Sequence, residues 1–445
     1  MLTSYGGAPL NITYSWIASI ALKVGSVLLG FVLSVILARS LGPEGYGIYV
    51  YVFAIVSLIA VPAQLGLPLL LVRETAKAQV NSDWGLMLGL WHWATFTVAA
   101  SSTLLAAFAL IIGILVFERI NPTNVTTYIF GLALVPLIAM ANLRGAALRG
   151  LRHIIMGQLP EAILRPAFLI MMLIFFTLYS SSSALSAKHA MGYHVVAAAL
   201  SFIIGALMLR KVRPVELLGV VKAEYTSRIW LTATWPFALV AGIQLINQTT
   251  DIIMLGLFRS ADEVGIYKVA VTGSSLVIFG LQAINTVVSP HFSRLYSKGH
   301  IDELQRLVTL STRVIFFLSL PIMLLFVMFG DVIILHAFGK SYVASYQPLL
   351  ILAGGMVFAA FTSTSGLLLM MTGHERQTYR AVIISAVINL VMNAALIPKF
   401  GVVGAGLATA LSLIVSQIFL QRSVQRHLGI ESMAFRISFI SGLRK

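Results

Sequence analysis

Residues 16–38 read WIASIALKVGSVLLGFVLSVILA, and residues 39–49 continue RSLGPEGYGIY. The first stretch holds one charge, Lys23, and is long enough to cross a bilayer, for which about 20 predominantly apolar residues suffice. The second is a turn carrying an acidic residue, after which apolar sequence resumes at Tyr46. Before Trp16 there is no Lys or Arg, so the start lacks the basic region of a secretory signal peptide, and the first span reads as retained.

The same pattern recurs along the chain. Apolar runs lie near 13–38, 46–66, 86–117, 126–148, 157–179, 190–209, 229–257, 266–288, 308–338, 347–371, 378–397 and 402–421. Pro136, Pro166, Pro236 and Pro321 fall within or near the starts of these spans, where membrane helices tolerate them. Charged residues make up only 10% of the 445, hydrophobic ones 59%, and mean hydropathy is +0.94. Soluble domains carry roughly 25% charge, so soluble enzyme folds are excluded and lipid must be the main solvent. The absence of cysteine removes disulfides, thiolate nucleophiles and Cys-ligated metals from consideration.

Net charge is +15, and its distribution explains it without nucleic acid. The loops after even-numbered spans, with both termini, hold 21 of the 30 Lys and Arg. The odd-numbered loops hold 6: Arg39, Arg119, Lys188, Arg259, Lys340 and Lys399. The bias puts both termini in the cytoplasm. The tail beyond His427 mixes Phe435, Ile437, Phe439 and Ile440 with Arg436, Arg444 and Lys445. It reads either as an interfacial segment on the cytoplasmic leaflet or as a frayed basic end.

An internal repeat organises the spans. Arg39-Ser40 to Gly47-Ile48-Tyr49 after span 1 resembles Arg259-Ser260-Ala261-Asp262-Glu263-Val264-Gly265-Ile266-Tyr267 after span 7. Each segment is the first outer loop of a six-span half. Because six is even, the halves form a parallel repeat, the arrangement of two-lobed transporters. The expected fold is an all-α polytopic membrane protein. About 12 transmembrane helices form two pseudo-symmetric six-helix lobes around a central cavity. The expected boundaries are an N-terminal lobe 1–209, a basic linker 210–228, a C-terminal lobe 229–425 and a basic tail 426–445. No Gly-rich filter loop argues for a channel.

The element at 39–49 resembles that of the polysaccharide-exporter family, the lipid-linked oligosaccharide (O-antigen type) flippases of the multidrug/oligosaccharidyl-lipid/polysaccharide superfamily. Further similar elements are Asp251 to Gly256, Gly265-Ile266-Tyr267, Ser289-Pro290, Leu320-Pro321 and Phe338-Gly339-Lys340-Ser341-Tyr342. The resemblance implies a non-enzymatic transporter of the prokaryotic plasma membrane. It would move a polyprenyl-diphosphate-linked oligosaccharide outward for cell-surface polysaccharide biosynthesis, beside a polymerase and chain-length machinery, in contact with membrane lipids. The carrier and its diphosphate come from the resemblance alone. No cofactor is implied, and coupling to H⁺ or Na⁺ is left open.

Polar stripes mark candidate site residues. Gln244, Asn247, Gln248 and Asp251 share one face of span 7, while Lys268, Thr272, Ser275, Gln282 and Thr286 share one face of span 8. Span 1 carries Ser15, Ser19, Lys23, Ser26, Gly30 and Ser34 at steps of three or four. Lys23, Arg165 and Lys268 suit an anionic head group, whose hydration must be replaced inside a membrane. The amides Gln244, Asn247 and Gln248 suit sugar hydroxyls. The bland alternatives are interhelical hydrogen bonds, an Asp251–Lys268 ion pair, and a snorkelling Arg165 paired with Glu161. Asp251 is a candidate for ion coupling. Arg39 and Glu44 form either an outer gate or a turn-stabilising pair. The nine histidines show no metal-ligand spacing, and Ser180–Ser183 reads as an ordinary outer loop. Two other functions compete: a cation-coupled multidrug exporter, which would favour an acid-rich cavity, and a membrane glycan polymerase or ligase, which the short outer loops disfavour.

Overall fold

The computed structural model describes residues 8–117, 122–179, 185–218 and 222–435. Arg119, the loop Ser180–Ser183 and the tail beyond Phe435 lie outside them, as do the side chains of Ser15, Ser19, Gln282 and Thr286. The described residues are helical, with no strand. In chain order the helices are α1 (Ala8–Ala63), α2 (Leu67–Asn81), α3 (Trp84–Phe117), α4 (Pro122–Gly150) and α5 (Ile154–Leu159). A π turn (Pro160–Leu164) joins α5 to α6 (Arg165–Tyr179), followed by α7 (Ala187–Val212) and α8 (Ser227–Phe258). Then come α9 (Ala261–Ser275), α10 (Phe279–Ser297), α11 (Ile301–Ala337), α12 (Tyr346–Phe361), α13 (Ser365–Met371) and α14 (Glu375–Leu428).

Among the described residues, nine helices are long and apolar enough to cross a membrane. This is a multi-pass membrane protein. Two of the nine each contain two expected spans. Ala21–Ala63 breaks at Gly42 (φ 69°, ψ 175°), and Glu375–Leu428 breaks at Gly401 (φ 55°, ψ −130°). Positive φ suits glycine, and Pro43 also disfavours helical geometry in the residue before it. The Gly42 break is the turn read in the sequence.

Two expected spans are not continuous. The run 266–288 is interrupted after Ser275, and 347–371 after Phe361. Hydroxyls at both breaks bond back to the chain: Ser274 Oγ to the Val271 carbonyl at 3.0 Å, Ser275 Oγ to that of Thr272 at 2.7 Å, and Ser365 Oγ to that of Thr362 at 2.8 Å. Such local bonds compete with helix hydrogen bonding. The break means that the stripe from Lys268 to Thr286 does not lie on one continuous helix. The helix α2 falls where the sequence suggested only a basic loop, and it buries Leu67, Leu70, Leu71, Thr75 and Ala78.

The chain divides into two compact units, Met1–Leu245 and Ile246–Lys445, with the division inside α8. In the first unit, α4 packs against α1, α2, α3 and α7. Lipid tails are as apolar as leucine, so close backbone approach must supply much of the association. Gly145 on α4 and Gly157 on α5 meet so tightly that a Cβ on either would stand 2.6–2.7 Å from the other's carbonyl oxygen.

In the second unit, α12 packs on α9, α11 and α14. After α14 ends at Gly429 (φ 66°), residues 429–435 turn onto the unit itself, while the basic part of the expected tail, 436–445, lies outside the described residues. Ile430, Ser432 and Ala434 are buried. Gln305 brackets Glu431 with two backbone bonds of 2.8 Å, Arg313 Nε donates to the Ala434 carbonyl at 2.9 Å, and Ala434 N–H donates to the Phe361 carbonyl at 3.1 Å. The small side chains let this segment bury its backbone only because those partners satisfy it.

Candidate functional site

Among the described residues each unit contains a buried polar cluster to which the tyrosine of its Gly-Ile-Tyr repeat belongs. In the second unit, Asp251 on α8 is buried, although it lies in a span. Its Oδ2 accepts a 2.6 Å hydrogen bond from Tyr267 Oη on α9, and its Oδ1 accepts one of 2.9 Å from the Ile252 N–H. Tyr267 Oη also lies 3.5 Å from Thr409 Oγ1, which accepts from Asn389 Nδ2 at 3.2 Å. Asn393, one turn along α14, donates to Asn389 Oδ1 at 2.9 Å, and its own Oδ1 is buried with no hydrogen-bond partner. Carboxylate, phenol, hydroxyl and amide oxygens therefore run in a chain through α8, α9 and α14. Such oxygens are donors for hard cations, and the orphaned amide oxygen is compatible with one.

In the first unit, Tyr49 Oη and His194 Nδ1 share a 2.8 Å hydrogen bond, with the His194 ring against Phe53. Tyr46 and Ser34 hydroxyls share one of 2.6 Å. Nearby elements carry an ionic cluster. Glu161 Oε2 lies 3.1 Å from Arg165 Nη1, and Glu161 Oε1 lies 3.6 Å from Arg144 Nη2. Arg144 is buried between α4 and α7, with Nη1 donating to the Phe202 carbonyl at 2.6 Å and its guanidinium over the Phe202 ring.

The π turn positions this cluster. Pro160 and Pro166 each lack a backbone donor, which loosens the helical hydrogen-bond pattern between them. The Arg165 N–H reaches back to the Pro160 carbonyl, which also accepts Ser201 Oγ at 2.6 Å. The i, i+4 pair of Glu161 and Arg165 is thereby anchored to α7.

The other predicted residues are placed as follows. Lys23 is partly buried on α1, two residues before Gly25, where a Cβ would lie 3.3 Å from Ile163. Lys23 and Arg165 thus occupy adjoining elements. Along α8, Gln244 and Gln248 are exposed, while Asn247 is partly buried and donates to the Val382 carbonyl at 3.2 Å. Lys268 is partly buried and follows Tyr267 directly on α9. Arg39 and Glu44 are both exposed beside the Gly42 break. At the matching turn of the second unit, Arg259 Nε lies 3.2 Å from Glu263 Oε2, and a Cβ on Gly401 would stand 2.5 Å from that oxygen.

Sequence reasoning missed Tyr49, His194, Arg144, Asn389, Asn393, Thr409 and the role of Tyr267. The repeated tyrosine and the i, i+4 asparagines were available as signals. Arg144, near the end of its apolar run, reads from sequence as one of the 21 cytoplasmic-side charges, whereas its side chain is buried inside the unit.

A family described as polysaccharide biosynthesis protein matches residues 12–296, and one described as MatE matches residues 236–395. A Haloferax volcanii protein named as a probable low-salt glycan biosynthesis flippase is 29% identical over 168 residues, or 38% of this chain and 36% of that relative. The chain thus spans little more than a third of that relative's length. A Shigella flexneri protein named as an O-antigen transporter is 23% identical over 401 residues, covering 86% of this chain and 91% of that one. A solved inward-facing multidrug resistance MATE family transporter of the MOP superfamily has a TM-score of 0.74 at 12% identity, covering 93% of this chain and 98% of its own. That likeness establishes the fold. With the first match spanning well over half of its length, the chain belongs to the polysaccharide biosynthesis protein family.

Proposed function

We propose that this protein is a flippase that moves a lipid-linked oligosaccharide across the plasma membrane of a prokaryote by alternating access, and is not an enzyme. The observation that carries this reading is the surplus of cations within spans: Lys23, Arg165 and Lys268 are all partly buried, and Arg165 sits in a cluster where two arginines face one carboxylate. Placing a charge at mid-membrane costs about 2.5–3.5 kcal/mol even on a lenient insertion scale. A polyanionic head group crossing the membrane gives these cations a purpose. The amides Gln244, Asn247 and Gln248 would meet its sugars, while the lipid tail needs no polar path. Asp251 and its oxygen chain would couple transport to a proton or Na⁺, and Arg39 and Glu44 would shape the outer mouth.

The test is reconstitution of the full chain in vesicles containing a fluorescent polyprenyl-diphosphate saccharide. Expected is protein-dependent loss of label from one leaflet. Extrusion of a cationic dye without movement of the saccharide would instead support multidrug export, the reading favoured by the MatE match over 236–395.

Both termini are proposed to be cytoplasmic from the 21-to-6 charge bias. In this cysteine-free chain, a cysteine replacing exposed Ser260 should react with an impermeant reagent in intact cells, and one replacing Ser297 only after permeabilisation. The reverse pattern would invert the topology.

A further inference from the structure

We infer that Glu161 is an internal placeholder for the substrate's anion: its carboxylate occupies Arg165 until an incoming head group displaces it, and Arg144 then receives it. This rests on Arg165 being a substrate-binding residue.

Three observations carry the inference. First, Glu161 is shared unequally between the arginines, in contact with Arg165 at 3.1 Å and short of Arg144 at 3.6 Å. That second separation is too long for a hydrogen bond. Second, the two atoms facing each other across it, Glu161 Oε1 and Arg144 Nη2, are both buried without a hydrogen-bond partner, and so is Arg144 Nε. Buried polar atoms normally find partners, so an incomplete pair here marks a second resting position for the carboxylate. Third, the two arginines differ in access. The Arg144 side chain is 5% exposed and held by the Phe202 carbonyl and ring, with its guanidinium pressed against Gly205. The Arg165 side chain is 22% exposed and held by Glu161.

Arg144 is therefore a fixed receiver, and Arg165 is the cation open to exchange. While Glu161 neutralises it, Arg165 is not left as an uncompensated charge within the membrane. When a phosphate oxygen takes Arg165, a small rotation of Glu161 would complete the hydrogen bonds that Arg144 lacks. The exchange swaps one carboxylate–arginine pair for another and favours ligands that bring their own negative charge. Glu161 acts here as a positioning and selectivity residue.

The test is equilibrium binding of geranylgeranyl diphosphate to the full-length protein in neutral detergent, with geranylgeraniol and inorganic pyrophosphate as comparisons. Glu161→Gln removes the competing charge and should tighten diphosphate binding about fivefold. Arg165→Gln should weaken it, and the gain should vanish in the Glu161→Gln/Arg165→Gln double variant. Pyrophosphate showing the same ratios would support recognition of the head group alone. Geranylgeraniol gaining affinity in Glu161→Gln would overturn the inference, since it carries no anion. Should Glu161→Gln fail to elute as a folded species, Glu161→Asp, whose carboxylate is retracted from Arg165, should tighten binding in the same direction. If the Glu161 variants bind diphosphate no better than the parent while Arg165→Gln weakens it, the placeholder role fails and the Arg165 reading stands. Equal binding by the parent and Arg165→Gln would remove both.

Discussion

Asp251→Asn will insert and fold but lose gradient-driven export, with transport falling about tenfold or more, a loss of roughly 1.4 kcal/mol of driving interaction. Asparagine keeps an oxygen to accept the 2.6 Å bond from Tyr267, so the buried phenol is not orphaned. Stability should therefore change by only about 1 kcal/mol, whereas Asp251→Ala leaves the hydroxyl only its 3.5 Å contact with Thr409 and should cost about 1–3 kcal/mol. What asparagine cannot do is exchange a proton or neutralise a cation. Coupling requires a group whose affinity differs between two conformations, and a permanently neutral side chain has no such difference. The measurement is export by the variant with proton and sodium gradients intact, then with each collapsed by ionophore. If Asp251 only balances Lys268, the double variant Asp251→Asn/Lys268→Met should recover both stability and export, and that recovery would sink the coupling role. Tyr267 rather than Lys268 makes the direct hydrogen bond to Asp251, so the coupling prediction does not depend on a salt bridge.

The second large effect is expected at Lys23 and Lys268. Replacing either with Gln should leave the protein at normal abundance while glycan export stops and lipid-linked precursor accumulates inside the cell. Removing one charge-assisted contact to a diphosphate costs about 1.5–3 kcal/mol, or roughly 10- to 150-fold in binding. Arg at either position should rescue partly, because it preserves charge while replacing a compact ammonium by a broad planar fork. Normal export by both Gln variants would refute the cationic-cavity reading. Comparing precursor levels with surface glycan separates a transport defect from a failure of synthesis.

The repeat acquires a physical role in the structure. Tyr49 and Tyr267, the tyrosines of the two Gly-Ile-Tyr elements, are both buried and both hydrogen-bond a titratable side chain, His194 in the first unit and Asp251 in the second. A tyrosine buried in a membrane helix needs a partner for its hydroxyl, because lipid offers none. The element thus serves as a turn at one end and as a buried donor or acceptor at the other. The halves have used that device differently: a neutral-capable imidazole in one, a carboxylate in the other.

The sequence by itself determined that this is a helical membrane protein with a duplicated plan. Those properties follow from hydropathy and from a short motif repeated at equivalent positions, both of which are local or additive along the chain. It also marks Lys23, Arg165, Asp251 and Lys268 as charges within spans, since a charge inside an apolar run is conspicuous, whereas Arg144, near the end of its run, reads as a loop charge. Tertiary structure decided what those residues touch. No periodicity could place Arg144 beside Glu161, because one lies on α4 and the other in the π turn after α5. Nor could it join Asp251 to Tyr267, or Tyr267 to Thr409 and Asn389, across three helices. The breaks after Ser275 and Phe361 were equally hidden, because apolar composition cannot tell one continuous span from two shorter helices whose hydroxyls satisfy the freed backbone. Hydropathy reports which segments leave water; the partners that a buried polar atom finds there depend on packing between segments distant in sequence.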